Sequence, residues 1–234
     1  MGYLLLEGGA EFGGSMSEAD LRAIALAGGM DAPIRILPTA AAPDHNHKRA
    51  GANGVRWFTS LGARNVSSLD VIDAKSANDT RLAASILDAK LIYLLGGFPR
   101  HLGETLKNSL CWQAALKAHA KGAVIAGSSA GAMVMCEYYF DPMDKQLLKG
   151  LNLVPNACVL PHHNKYGKAW EMQVRQVLPH AILLGIDERT GMLNDVEGQW
   201  TVYGAGGVTV YVGEQTSFTK KNETLSFDHS GSII

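Results

Sequence analysis

Short apolar runs alternate along the chain with longer stretches in which apolar residues recur every three or four positions. The runs at 3–6, 34–37, 69–72, 91–95, 123–126, 157–160 and 182–186 have the length and continuity of strands buried on both faces. Between them, residues 17–27, 44–61, 78–87, 111–120, 130–136 and 165–177 carry helical periodicity. Ser17 and Glu18 open the first of these with a polar cap and a first-turn acid. Strand–helix alternation predicts an α/β fold: a three-layer α/β/α sandwich around a mostly parallel central sheet. After Gly191 the pattern changes. Residues 192–196, 200–202 and 208–212 are short and separated by Glu197-Gly198 and by Gly204-Ala205-Gly206-Gly207. They predict a C-terminal antiparallel β extension. No linker or repeat interrupts the pattern, so residues 1–234 are expected to form one domain.

Composition narrows the function classes. Of the 234 residues, 47% are hydrophobic and 18% charged, with a formal net charge of -1. No basic field is available to hold nucleic acid, and no apolar run is long enough to span a bilayer. The first residues lack the basic start and apolar run of a signal peptide. The three cysteines, Cys111, Cys136 and Cys158, fit reduced core thiols better than a disulfide framework. A cytoplasmic protein is expected, and a homodimer is compatible with this reading.

The chemistry concentrates at turns. Residues 123–126 run into Gly127-Ser128-Ser129-Ala130-Gly131 and then a helix-compatible apolar stretch, which is the strand–turn–helix context of a G-x-S-x-G nucleophile elbow. Glycines at either flank leave room where the chain turns under the serine. Ser129 is therefore the candidate nucleophile, with Ser128 the weaker option. The Ala130 N–H at the helix start is placed to stabilise an oxyanion. Gly96-Gly97-Phe98-Pro99 follows another strand and supplies Gly97 as a second donor, with Pro99 starting a helix.

Of eight histidines, His162 and His163 emerge at a strand end after Pro161, at the edge where Ser129 is expected. No H-E-x-x-H or paired-cysteine spacing suggests a metal, and no cofactor is expected. The acid that orients the imidazole is Asp144 or Glu188, with Asp141 and Asp187 as lesser options. Glu188 is favoured because it follows an apolar strand, whose packing would hold it rigidly.

Together these residues resemble the dipeptidase E and cyanophycinase family of serine peptidases, whose fold is similar to the class I glutamine amidotransferase domain. The resemblance rests on Gly127-Ser128-Ser129-Ala130-Gly131-Ala132 and Gly185-Ile186-Asp187-Glu188-Arg189-Thr190, supported by Leu4-Leu5-Leu6-Glu7-Gly8-Gly9, Gly96-Gly97 and Pro161-His162-His163. It assigns the catalytic histidine to His162. Cyanophycinases carry a run of arginines just after that histidine. Here the stretch reads Asn164-Lys165-Tyr166-Gly167-Lys168, which argues against the polymer as substrate. The resemblance implies a serine peptidase acting on a small peptide, acidic or β-aspartyl, with Phe98, His163, Lys165 and Lys168 as substrate contacts. The alternatives are an esterase or amidase on a non-peptide, and a non-catalytic small-molecule-binding domain.

Overall fold

The computed structural model describes residues 2–196 and 199–227. The expected Glu197-Gly198 turn lies outside them. The chain is an α/β fold with its parallel strands shared between two sheets. The first sheet has the order β14-β11-β10-β1-β5-β4-β2-β3, built from β1 (Tyr3–Glu7), β2 (Ile34–Leu37), β3 (Val66–Ser68), β4 (Leu91–Leu94), β5 (Val124–Ser128), β10 (Thr190–Val196), β11 (Gln199–Gly204) and β14 (Thr224–Leu225). Its half from β1 to β3 is parallel, and β10, β11 and β14 lie antiparallel beside β1, whereas the run at 208–212, expected to join them, pairs in the second sheet. The second sheet has the order β13-β12-β9-β8-β6-β7. In it β6 (Cys136–Asp141), β8 (Val154–Leu160) and β9 (Ile182–Ile186) are parallel, and β7 (Gln146–Lys149), β12 (Gly207–Val212) and β13 (Gln215–Lys220) flank them antiparallel.

Alternation along the strands divides the core. Leu5, Ile34, Ile36, Tyr93, Val124 and Ala126 point toward α1 (Ser17–Leu26) and α2 (His47–Ser60). Leu4, Leu6, Ile92, Leu94 and Ile125 point the other way. There they share one apolar cluster with α3 (Thr80–Leu87), α4 (Pro99–Leu106), α5 (Leu110–Ala120) and α6 (Ala130–Met135), and with the inner face of the second sheet through Val159, Leu184 and Val208. On the outer face of the second sheet, α7 (Lys168–Val177) packs Val174 against Leu160, Leu183 and Tyr211. Among the described residues no helix is long and apolar enough to cross a membrane.

One expected strand is corrected. The apolar run at 69–72 is not a strand; β3 lies just before it, at Val66–Ser68, and only the Leu69 N–H still reaches β2, at the Ile36 carbonyl. Val71 is fully buried as a core plug, and its carbonyl accepts a hydrogen bond from Thr39 Oγ1 at 2.5 Å. Burial without pairing gives the same apolar signature as a central strand. Helix boundaries also differ: α2 starts at His47, not at 44, and at two others a different element takes over. The stretch at 130–136 leaves the helix at Met135, and Cys136 begins β6. The stretch at 165–177 opens with a wide π-helical turn over His163–Gly167 before α7 begins.

Candidate active site

The C-terminal ends of β1, β5, β8 and β9 meet at the seam between the two sheets. Backbone bonds tie them together. The Ser129 N–H donates to the Glu7 carbonyl at 3.0 Å, the His162 N–H to the Gly8 carbonyl at 2.7 Å, and the Arg189 N–H to the Gly9 carbonyl at 2.8 Å. The Gly8-Gly9 turn is thus the knot that carries three separate segments. Gly9 has φ +101°, and a Cβ there would stand 2.3 Å from His162 Cε1. Gly9→Ala should displace the imidazole. Misplacement of this kind costs about 10²-fold in rate. Steady-state kinetics beside a thermal melt would check it; unchanged turnover would mean that the imidazole has no part in the chemistry.

Ser129 lies between β5 and α6 at φ +49° and ψ -111°, a costly conformation for a residue with a side chain. Its Oγ lies 3.1 Å from His162 Nε2, and His162 Nδ1 lies 3.0 Å from Glu188 Oε1. With Glu188 accepting from Nδ1–H, Nε2 is left as the acceptor for the serine hydroxyl. Tyr166 stacks on the imidazole, centroids 4.9 Å apart and planes 23° from parallel. The Glu188 N–H donates to Asn164 Oδ1 at 3.0 Å, which pins the loop bearing the acid to the turn that follows His162. Ala130 is the first residue of α6, so its N–H has no acceptor within the helix. The Gly96-Gly97 turn abuts Ser129. A Cβ on Gly96 would stand 3.2 Å from Ser129 Cβ. Gly97 has φ +139°, and the Phe98 N–H anchors the turn on the Ala40 carbonyl at 2.8 Å.

Several expected residues lie elsewhere. Asp144 pairs with Arg100 at 3.0 Å, and the same guanidinium holds Asp141 at 2.8 Å, so neither acid reaches His162. His163 is buried. Its Nε2 lies 3.0 Å from the Tyr211 hydroxyl, and burial lowers its basicity. Adjacent residues leave the strand end in opposite directions, so His163 enters the second sheet's core instead of contacting substrate. Asp187 accepts the Gly207 N–H at 3.0 Å and lies 3.8 Å from His163. Lys165 and Lys168 are exposed, in the turn after His162 and at the start of α7. Phe98 is half-buried at the start of α4. Arg175, another cation after His162, bonds Glu171 and the Gly213 carbonyl. The three cysteines are free and buried, and burial pushes the Cys111 thiol up to about 11 and Cys158 to about 12. Among the described residues no cluster of three or more His, Cys, Asp or Glu side chains is arranged to hold a metal ion.

Sequence reasoning missed a group of acids beneath the nucleophile. Glu7 and Asp20 are fully buried. Glu7 accepts from the Tyr93 hydroxyl, and Asp20 from Trp57 Nε1 at 2.7 Å. Glu7 Oε1 and Asp20 Oδ1 are buried without a hydrogen-bond partner. Two neighbouring acids buried in this way favour the protonated form. Burial raises Glu7 well above the ordinary carboxylate range and Asp20 to about 7, and nearby Glu11 adds repulsion to both. A folded-state value above the unfolded one means that the native state binds more protons. Stability is therefore full below the ordinary carboxylate range and falls as pH rises toward 7. The fall should amount to about 1 kcal/mol or more, or roughly 2–4 °C in Tm per kcal/mol. Thermal melts at acidic and alkaline pH should show a smaller fall for Asp20→Asn than for the wild type. An equal fall in both would place the titrating group elsewhere.

Comparisons with known proteins give the chain's family. Residues 4–198 match the family model described as peptidase family S51. Cyanophycinase from Trichormus variabilis (strain ATCC 29413 / PCC 7937) is 27% identical over 209 residues, covering 84% of this chain and 68% of that protein. Cyanophycinase from Geminocystis herdmanii (strain PCC 6308) is 27% identical over 236 residues, covering 96% and 86%. The crystal structure of a peptidase from an acI-B1 Actinobacterium superposes with a TM-score of 0.86 at 28% identity, over 97% of each chain. A putative peptidase E protein from Listeria monocytogenes EGD-e gives 0.61 at 18% identity, over 94% of this chain and 98% of that one, a likeness of fold alone. The chain belongs to peptidase family S51 and is a serine-type peptidase.

Proposed function

We propose that this peptidase cleaves an amide bond in a small acidic or β-aspartyl peptide, with Ser129, His162 and Glu188 as its catalytic triad. The observation that carries the mechanism is the continuous chain from Ser129 Oγ through the imidazole to Glu188, with links of 3.1 and 3.0 Å. Ser129 Oγ attacks the carbonyl carbon as His162 Nε2 takes its proton. Glu188 stabilises the imidazolium and holds its orientation. The N–H groups of Ala130 and Gly97 receive the negative oxygen. The C–N bond then breaks, and His162 hands the proton to the departing amine. A water molecule, deprotonated in turn by His162, hydrolyses the acyl-enzyme and frees Ser129.

The leaving group must lie on the His162 side, because its nitrogen takes the proton there. Lys165 and Lys168 follow His162 closely in the chain and are exposed; in this reading they meet a carboxylate on the leaving residue, with Phe98 as an apolar wall near the oxyanion turn. Tyr166, stacked on His162, narrows the same side, which suits a short substrate better than a bulky polymer. Fluorophosphonate labelling tests the reading. Wild-type protein should label and the Ser129→Ala variant should not. A dipeptide screen should then find cleavage of aspartyl or β-aspartyl substrates. Absence of labelling would sink the mechanism, and cleavage confined to neutral or basic peptides would sink the substrate class.

A further inference from the structure

A groove of about 910 Å³ runs from the Gly96-Gly97 turn along α2, and none of Ser129, His162, Tyr166 or Glu188 lines it. It opens at the Gly96-Gly97 turn, which abuts Ser129. Under the mechanism proposed above, on which this inference rests, the leaving amine departs toward His162. The groove is then left for the acyl half of the substrate.

Its lining is charged. At the end nearest the nucleophile stands Glu11. Ser128 Oγ donates to Glu11 Oε2 at 2.8 Å, which fixes the carboxylate. The other oxygen, Oε1, and Ser129 Cβ both lie within 4 Å of the point where a Gly96 Cβ would stand, so Glu11 and the nucleophile flank the same glycine. No ion pair ties Glu11 to a cation among the described residues. Farther along, Asp44 and the N-cap Asn46 lead into α2, which lines the groove with Arg49, Asn53 and Arg56, positions three or four apart that share one helix face. Arg56 bonds Asn53, and neither arginine is paired with an acid among the described residues.

The geometry points to Glu11 as the binding residue for a free α-ammonium group on the acyl residue, and to Arg49 and Arg56 as the wall that receives a carboxylate of that same half. An α-ammonium sits one carbon from an α-linked scissile carbonyl and two from a β-linked one, so an acid that flanks Gly96 with Ser129 is where that cation must fall. The arginines beyond it present planar donors suited to a carboxylate. Glu11 excludes acylated amino termini by leaving its own charge unpaired against them.

Binding to Ser129→Ala protein, which cannot turn substrate over, tests this separately from the mechanism. The probes are α- and β-aspartyl-leucine, each free and N-acetylated, measured by calorimetry. The better-bound free isomer should bind at least about tenfold more tightly than its acetylated form. Adding Glu11→Gln should abolish that preference. Adding Arg49→Gln with Arg56→Gln should weaken both forms and leave the preference intact. Equal binding of free and acetylated probes, a preference that survives Glu11→Gln, or no binding of any probe at millimolar concentration overturns the Glu11 assignment. Unchanged affinity in the double arginine variant overturns the carboxylate wall. Failure of fluorophosphonate labelling would strike the nucleophile alone, so the two readings fail by different signs.

Discussion

Ser129→Ala is expected to lower turnover by about 10⁴–10⁶-fold, the loss typical when a nucleophile is removed from a serine hydrolase. The fold should survive. The side chain makes one part-buried hydrogen bond, to His162 at 3.1 Å, and such a bond contributes about 1 kcal/mol. The left-handed backbone at φ +49° is equally strained for alanine, so the substitution adds no new clash. Melting should shift by no more than about 2–4 °C. Ser128→Ala is the control. Its hydroxyl is fully buried and faces Glu11, not the imidazole. Its loss should loosen Glu11 and raise KM for substrates with a free amine, with kcat within about tenfold of wild type. Stopped assays on a cleaved dipeptide, read as kcat and KM separately, decide between the serines. Inactive Ser128→Ala beside an active Ser129→Ala would reverse the assignment.

The parts of this site legible in the sequence are those that local backbone chemistry dictates. Strands β1, β4, β5 and β9 are buried on both faces, so their apolar runs are continuous and easily read. Ser129 is betrayed by the small residues packed around its turn. The His162–His163 pair marks a strand end, and Glu188 follows the buried β9. Strands β7 and β13 left no such trace, since Gln146–Lys149 and Gln215–Lys220 lie largely open to solvent. The run at 69–72 misled because a core plug and a buried strand present the same apolar residues. The charges of the groove were illegible for another reason. Arg49 and Arg56 read as the solvated face of an amphipathic helix, and only the tertiary approach of Glu11 to Ser128 aligns that face with the nucleophile. Glu7 and Asp20, 13 positions apart in the chain, look like an ordinary strand end and an ordinary first-turn acid until folding buries them together.

The Glu188→Gln exchange carries the second large effect. Glutamine keeps the length of the side chain but changes what it offers Nδ1. Its carbonyl oxygen can still accept from Nδ1–H, yet its amide group can instead donate to Nδ1. That second arrangement selects the tautomer with the proton on Nε2, facing Ser129, where it cannot take the hydroxyl proton. Even with the correct tautomer, a neutral partner no longer offsets the charge of the imidazolium. Turnover should fall by about 10²–10⁴-fold, with KM little changed because Glu188 does not line the acyl groove. Asp144→Asn should be near wild type in kcat, since Asp144, on the β6–β7 hairpin, pairs with Arg100 of α4 and not with His162. The pair therefore separates a carboxylate that acts on the imidazole from one that only shares its neighbourhood in sequence. A large kcat loss in Asp144→Asn with Glu188→Gln near normal would show that the β6–β7 hairpin closes over substrate and brings Asp144 to the histidine. Equal, small losses in both would mean that His162 needs no acid partner.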